Sequence, residues 1–264
     1  MKKVGYYHIF LTENQSTWTS IAMEQYKVME DSELFDNLDH LNVICVGKKF
    51  EDFQMFSHLT KLYFRNVNLT FIENTVSSDN DVMTDINRGT NLVVTENATT
   101  RKIYNDAINS AEDYYALYFH TKGITSTLRH FHNDAKEIDL FRTYQYWRHY
   151  LNYGVLEKWK DCIDALGRGY DTAGVNYQSY PHNHYSGSFW WTKASHIRTL
   201  PDPATYEWWN EVKRNSVDPW LRQASDRFAD EQWLCSRRGT KSFNVGKTIN
   251  NPANVFTRRK IYAE

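Results

Sequence analysis

The chain has few of the residues that staple or loosen a small protein. With three cysteines, five prolines and eleven glycines in 264 residues, it cannot be a disulfide-framed mini-domain, a collagen-like repeat or a Pro/Gly-rich linker. Cys45, Cys162 and Cys235 lack metal-ligand spacing. Cys45 falls in a strand-like run and Cys162 on an apolar helix face, which predicts buried, reduced thiols and a cytoplasmic setting. Charge of one sign is missing as well. Lys+Arg number 31 against 32 Asp+Glu, a net charge of −1, so no global field draws in nucleic acid or an anionic membrane. No apolar run is long enough to span a bilayer. The first eleven residues faintly mimic a leader, but the apolar part is short, carries His8 and has no small-residue cleavage site, so a first strand explains it better.

Aromatic residues are what the chain has in excess: 16% of the sequence, with nine Trp and 18 Tyr. Such rings stack on the apolar faces of sugars, and they also fill cores. Their order with the aliphatics predicts strand 4–11, a helix capped at Ser16 or Thr17, and strand 41–46. A short helix 50–59, strand 62–69, strand 91–94 and a helix from about 95–97 to 111 follow, leading into a strand over 114–120. Two helices come next, 137–151 and a second after Gly154. Strands 170–177 and 185–191 and helices 205–215 and 226–236 complete the pattern. The β-α-β-α-β order predicts an α/β protein with a mixed, mostly parallel sheet flanked by helices. Organisation is expected as one domain, 1–236, followed by a basic extension, 237–264, lying on or near the active site.

One segment concentrates polar chemistry. Tyr114-Tyr-Ala-Leu-Tyr-Phe-His120 reads as a strand buried on both faces, and it runs into Thr121, Lys122 and Gly123. Polar residues released at the C-terminal end of such a strand sit where open α/β sheets bind ligands. Later come Tyr170-Asp171, then His184-Tyr-Ser186-Gly187-Ser-Phe-Trp190-Trp191, then Ala229-Asp230-Glu231-Gln-Trp233. His182 and His184 have no third ligand to make a zinc site.

This ordered series, across roughly residues 3–234, resembles GT-A-fold glycosyltransferases. The nearest resemblance is to rhamnan-synthesis F-type proteins and to glycosyltransferase domains of large algal DNA viruses, which would place the protein in a host cytoplasm if viral. The resemblance implies transfer of a sugar, rhamnose or another hexose, from a nucleoside-diphosphate donor to a saccharide acceptor, with inversion of the anomeric centre. Where most GT-A enzymes carry an Asp-x-Asp metal motif, this chain has His120-Thr121-Lys122. That set cannot assemble a hard-cation site, so Lys122 is expected to meet the charge growing on the leaving diphosphate, with Arg129, His130 or His132 nearby. Donor contacts are expected from His8, Phe10, Thr12, His120, Thr121, Lys122 and Gly123, and from Arg101 and Tyr104. Asp230 or Glu231 would be the general base, with Asp171 in reserve. His184, Ser186, Gly187 and one of Trp190 and Trp191 would line the sugar side, since strand alternation lets only one indole face it. No cofactor follows from the residues themselves. A rival Asp79-Asn80-Asp81 spacing sits in a polar stretch that reads as a solvated loop, and it leaves a manganese or magnesium ion open. A non-catalytic carbohydrate-binding protein is the alternative in a different class.

Overall fold

The computed structural model describes residues 1–12, 15–73, 96–122, 135–180, 182–224 and 227–246, with side chains set aside at 135–142 and 227. Asp79, Asp81, Gly123, Arg129, His130, His132 and the expected strand 91–94 lie outside the described residues.

Four long strands run parallel. They are β1 (Lys2–Leu11), β2 (His40–Gly47), β3 (Val67–Glu73) and β4 (Tyr114–His120). The shorter β5 (Thr172–Gly174), β8 (Trp190–Lys193) and β9 (Ser242–Asn244) extend the sheet to seven strands in the order β3-β2-β1-β4-β8-β5-β9. Only β8 runs against its neighbours. The result is a mixed, mostly parallel α/β sheet flanked by helices, the predicted class. A two-stranded ribbon, β6 (Tyr177–Gln178) with β7 (His184–Tyr185), stands apart from it.

Alternation along the strands builds two cores. One face of the sheet points Tyr7, Ile9, Val43, Cys45, Leu117, Phe119 and Trp191 into the same buried cluster as Trp18, Tyr26, Leu151 and Leu166. The other points Tyr6, Ala116, Tyr118 and Trp190 at Ile103, Ala107, Trp233 and Leu234. Each fully buried large apolar side chain contributes roughly 1.5–3 kcal/mol, so a sheet covered on both faces anchors its strand ends firmly.

The helices that matter for the site are α1 (Gln15–Asp31), α2 (Leu34–Asn37), α3 (Phe50–Tyr63), α4 (Asn97–Asn109) and α5 (Ala135–Asn152). A π-helical turn, Tyr153–Glu157, joins α5 to α6 (Trp159–Gly167). After β8 come α7 (Ala194–Ile197), α8 (Glu207–Asn215), α9 (Pro219–Gln223) and α10 (Arg227–Gln232).

Several boundaries differ from the sequence pattern. α1 begins at Gln15, which places Ser16 and Thr17 inside its first turn. Leu62 belongs to α3, because the helix continues to Tyr63 before β3 starts at Val67. The two later expected strands, 170–177 and 185–191, are each broken by a turn. Asn176, Gly187 and Ser188 take left-handed φ of 60°, 96° and 57°, which no strand accommodates. Part of the basic extension is woven into the sheet: β9 pairs with β5, and Asp171 Oδ2 accepts from the Lys241 amide at 2.9 Å.

Candidate functional site

In the sheet order, β1 lies between β2 and β4, and the chain's crossovers leave it in opposite directions at this point. The carboxyl ends of strands flanking such a switch form a crevice. Parallel register sets His8 directly opposite His120 there. Two hydrogen bonds fasten the strand ends to each other. The Thr121 amide donates to the His8 carbonyl (3.2 Å), and the Phe10 amide donates to Thr121 Oγ1 (3.3 Å).

Sequence-distant carboxylates and amides close around this point. His120 Nε2 donates to the Gly187 carbonyl at 2.8 Å, while its Nδ1 lies 3.5 Å from Glu96 Oε1. His8 Nδ1 bonds Thr99 Oγ1 at 2.9 Å in the first turn of α4. Burial holds the His8 imidazole down to about 4, with the like charge of His120 adding to the effect and Glu96 opposing it; His8 is therefore neutral at pH 7.

Lys122 is the cation of the crevice. Its Nζ lies 3.8 Å from Glu231 Oε1 and 4.2 Å from the Trp147 ring centroid, and its side chain is only 11% exposed. An ammonium so placed, over an indole and beside a carboxylate, is held without a full hydration shell. The neighbouring Asp230 is buried and accepts from Asn97 Nδ2 at 3.0 Å. The adjacent acids therefore have different environments, with Glu231 on the lysine and Asp230 on the α4 N-terminus. Below them the Tyr118 hydroxyl is buried with no hydrogen-bond partner among the described residues. Burial first, then the charges of Glu96, Asp230 and Glu231, push its ionisation far above the ordinary tyrosine range.

A supporting layer holds Lys122 from behind. Arg148 Nη1 donates to the Lys122 carbonyl (3.1 Å), and the same guanidinium donates to Glu24 through Nε (3.0 Å) and Nη2 (2.8 Å). Asn152 also donates to Glu24, and Gln25 Nε2 donates to the His120 carbonyl at 3.0 Å. Burial opposes ionisation of Glu24, yet hydrogen bonds from His149 and Arg148 outweigh it and hold the carboxyl down at about 2. None of Glu24, Gln25, Glu96, Arg148 and Asn152 stands out in the sequence. They are isolated polar positions, and only the packing of α1, α5 and the start of α4 against the end of β4 gives them a role.

The other expected contacts are distributed differently. Thr12 is fully buried and Phe10 half-buried at the end of β1. Arg101 is exposed and reaches the Ala204 carbonyl at 3.4 Å, and Tyr104 packs edge-on to Trp233, so neither shares in the contacts at the His8–His120 end. His184 is buried in the β6–β7 ribbon, and the half-buried Ser186 donates its amide to the Asn176 carbonyl. Gly187 is required where it stands: a Cβ would sit 2.6 Å from Leu151 and 3.3 Å from Trp147 Nε1, at a φ of +96°. The expected indole on the sugar side is corrected by the fold. Trp190 and Trp191 do alternate, but they are 2% and 0% exposed because the sheet is covered on both faces. Trp190 packs on Tyr118, and Trp191 donates to the Val155 carbonyl. Of the basic extension, Arg237 and Arg238 are exposed, and Arg237 bonds Thr199 Oγ1.

Among the described residues no cluster of three or more His, Cys, Asp or Glu side chains is arranged to hold a metal ion. No helix there is long and apolar enough to cross a membrane.

A mostly parallel sheet with polar groups gathered at its switch point defines a Rossmann-like α/β protein. Within that class, the chain belongs to the family described as Domain of unknown function (DUF8361), whose profile matches residues 6–242. No curated protein matches it. A solved structure of 4-diphosphocytidyl-2C-methyl-D-erythritol synthase from Anaerococcus prevotii DSM 20548 is similar over 97% of this chain and 97% of that one, at 11% identity and a TM-score of 0.41. That likeness is too loose to carry function.

Proposed function

We propose that the protein is a nucleotide-sugar-dependent glycosyltransferase of GT-A type, with Lys122 at the donor diphosphate and Glu231 as general base. The observation that supports this most is the approach of Lys122 Nζ to Glu231 Oε1 at 3.8 Å, across 109 positions of sequence, at the carboxyl end of β4. An inverting transfer needs both groups. The acceptor hydroxyl gives its proton to a carboxylate as its oxygen attacks the anomeric carbon. The bond from that carbon to the β-phosphate oxygen breaks, and a cation must meet the charge left on the nucleoside diphosphate. Attacking and leaving oxygens lie on opposite sides of the sugar carbon. The donor sugar therefore enters between the two groups, parting the ion pair and freeing Glu231 to accept a proton.

The remaining roles extend the same proposal. Asp230, tied to Asn97, orients the helix that carries Glu231. His120, Thr121 and His8 form the floor of the donor site, and Phe10 and Thr12 line the end of β1 toward the nucleoside. His184 and Ser186 face the acceptor side, and a rhamnose or other hexose is the sugar moved. The described residues at Lys122 do not suit a divalent ion, and no step is routed through one; Asp79 and Asp81 would have to supply such a site from elsewhere.

The test is turnover and thermal stabilisation against a panel of nucleoside-diphosphate sugars, with and without manganese, since a ligand of the folded state raises its melting point. Lys122→Ala and Glu231→Gln should each lower the transfer rate by about 10²–10³-fold, with Asp230→Asn milder. Chelator-sensitive activity that survives Lys122→Ala would overturn the assignment of the diphosphate site.

A further inference from the structure

With Trp190 and Trp191 closed into the core, neither indole is available to stack on a saccharide. Among the exposed rings of the described residues, two lie near the helix that carries the carboxylates. Tyr180, just past β6, is 72% exposed, and Trp220, on α9, is 49% exposed. One carboxylate links the two segments: Asp218 caps the N-terminus of α9 and also receives the Tyr180 hydroxyl. The Tyr180 hydroxyl donates to Asp218 Oδ2 at 2.5 Å, and the Trp220 amide donates to Asp218 Oδ1 at 2.8 Å. The Trp220 indole in turn meets the edge of Phe228 at a centroid distance of 5.0 Å.

Phe228 is the connection to the site. It lies three residues before Glu231 on α10, a spacing that puts both on one helix face about 4.5 Å apart along the axis. Through Phe228, the Trp220 indole therefore adjoins the helix face that carries the carboxylate proposed as base.

We infer that Tyr180, Asp218 and Trp220 form a platform for a neutral saccharide, the distal part of the acceptor chain whose terminal hydroxyl reaches Glu231. This rests on the glycosyltransferase reading above. Two solvent-facing rings beside a carboxylate suit a ligand with apolar ring faces and hydroxyl edges: the rings take the faces, and the carboxylate accepts from the hydroxyls. Size argues against a protein partner. Two aromatic rings bury about 150–250 Å² each, well short of the roughly 1,000 Å² that a specific protein interface needs.

The experiment is binding of oligosaccharides of rhamnose, glucose, mannose and galactose, two to six units long, by glycan array and saturation-transfer NMR, without any donor. The wild-type chain should bind at least one series. Trp220→Ala and Tyr180→Ala should each weaken that binding ten-fold or more while the chain stays folded at the assay temperature, as circular dichroism checks. Trp220→Phe should retain most of it, and Leu62→Ala, an exposed position on α3, should leave it unchanged. In a transfer assay the Trp220→Ala loss should fall on the acceptor KM and spare the kcat. Unaltered binding in Trp220→Ala, no oligosaccharide bound by the wild type, or a polypeptide bound there instead would each overturn the platform. Saccharide binding lost in Trp220→Ala, with no turnover of any nucleotide sugar, would uphold the platform and sink the transfer reaction. Turnover with an acceptor KM indifferent to Trp220 would do the reverse.

Discussion

The two halves of the sheet are built by different rules. β1 to β4 are seven to ten residues long, parallel, and joined in a regular order. β5, β8 and β9 have three or four residues each, come from positions up to 70 residues apart, and include the one antiparallel strand. The first half presents His8, His120 and Lys122 at strand ends. The second returns Gly187 and Glu231 to meet them. A crevice made this way has its cation on the regular half and its counter-charge on the irregular one, so neither half alone carries the proposed chemistry.

The most severe way to break that comparison is Trp191→Ala. If the short-stranded half merely drapes over the parallel block, the change would cost little. Its indole is fully buried and bonded to Val155, so a loss of about 3–5 kcal/mol is expected from urea unfolding.

The next test probes the regular half through pH. His8 is held at about 4, below its ordinary value near 6.5. Between those values the unfolded chain takes up a proton that the folded chain refuses. Stability is therefore full above pH 6.5 and falls as pH drops toward 4, by about 3 kcal/mol. Glu24 extends the loss in the same direction between its ordinary value and about 2. Unfolding midpoints measured from pH 7 to 4 should show the decline, and His8→Gln should flatten its upper part.

Gly187→Ala tests the joint between the halves. The added carbon meets Leu151 and Trp147 at a positive φ, so about 2–3 kcal/mol should be lost. Because Trp147 lies under Lys122, nucleoside-diphosphate affinity should fall with it, measurable by calorimetry. The smallest effect belongs to Lys27→Ala. This lysine is exposed and paired with Asp31 one helical turn away, and such surface pairs add little; no change in melting point is expected.

The crevice was only partly legible in the sequence. His120-Thr121-Lys122 could be placed because a buried strand of strict pattern ends there, and the Asp230-Glu231 pair because two adjacent acids precede a tryptophan. The strand readings over 170–177 and 185–191 failed where aromatic alternation runs through a turn. Asn176 and Gly187 were the local signals that a strand stops, and the hydrophobic pattern masks them. Trp190 and Trp191 show the same limit. Alternation gives their opposite directions correctly, but it cannot say that helices cover both sides.

The sequence by itself determined the parallel block, the doubly buried strand β4 and the polar residues at the strand ends, because strand and helix periods are local properties of the chain. Only the tertiary structure decided which acid meets Lys122, that Arg148 and Glu24 brace it, and that Trp190 and Trp191 are closed into the core while Tyr180 and Trp220 face solvent. Those outcomes depend on contacts between residues tens to more than a hundred positions apart and on which surfaces remain uncovered, and no local pattern encodes either.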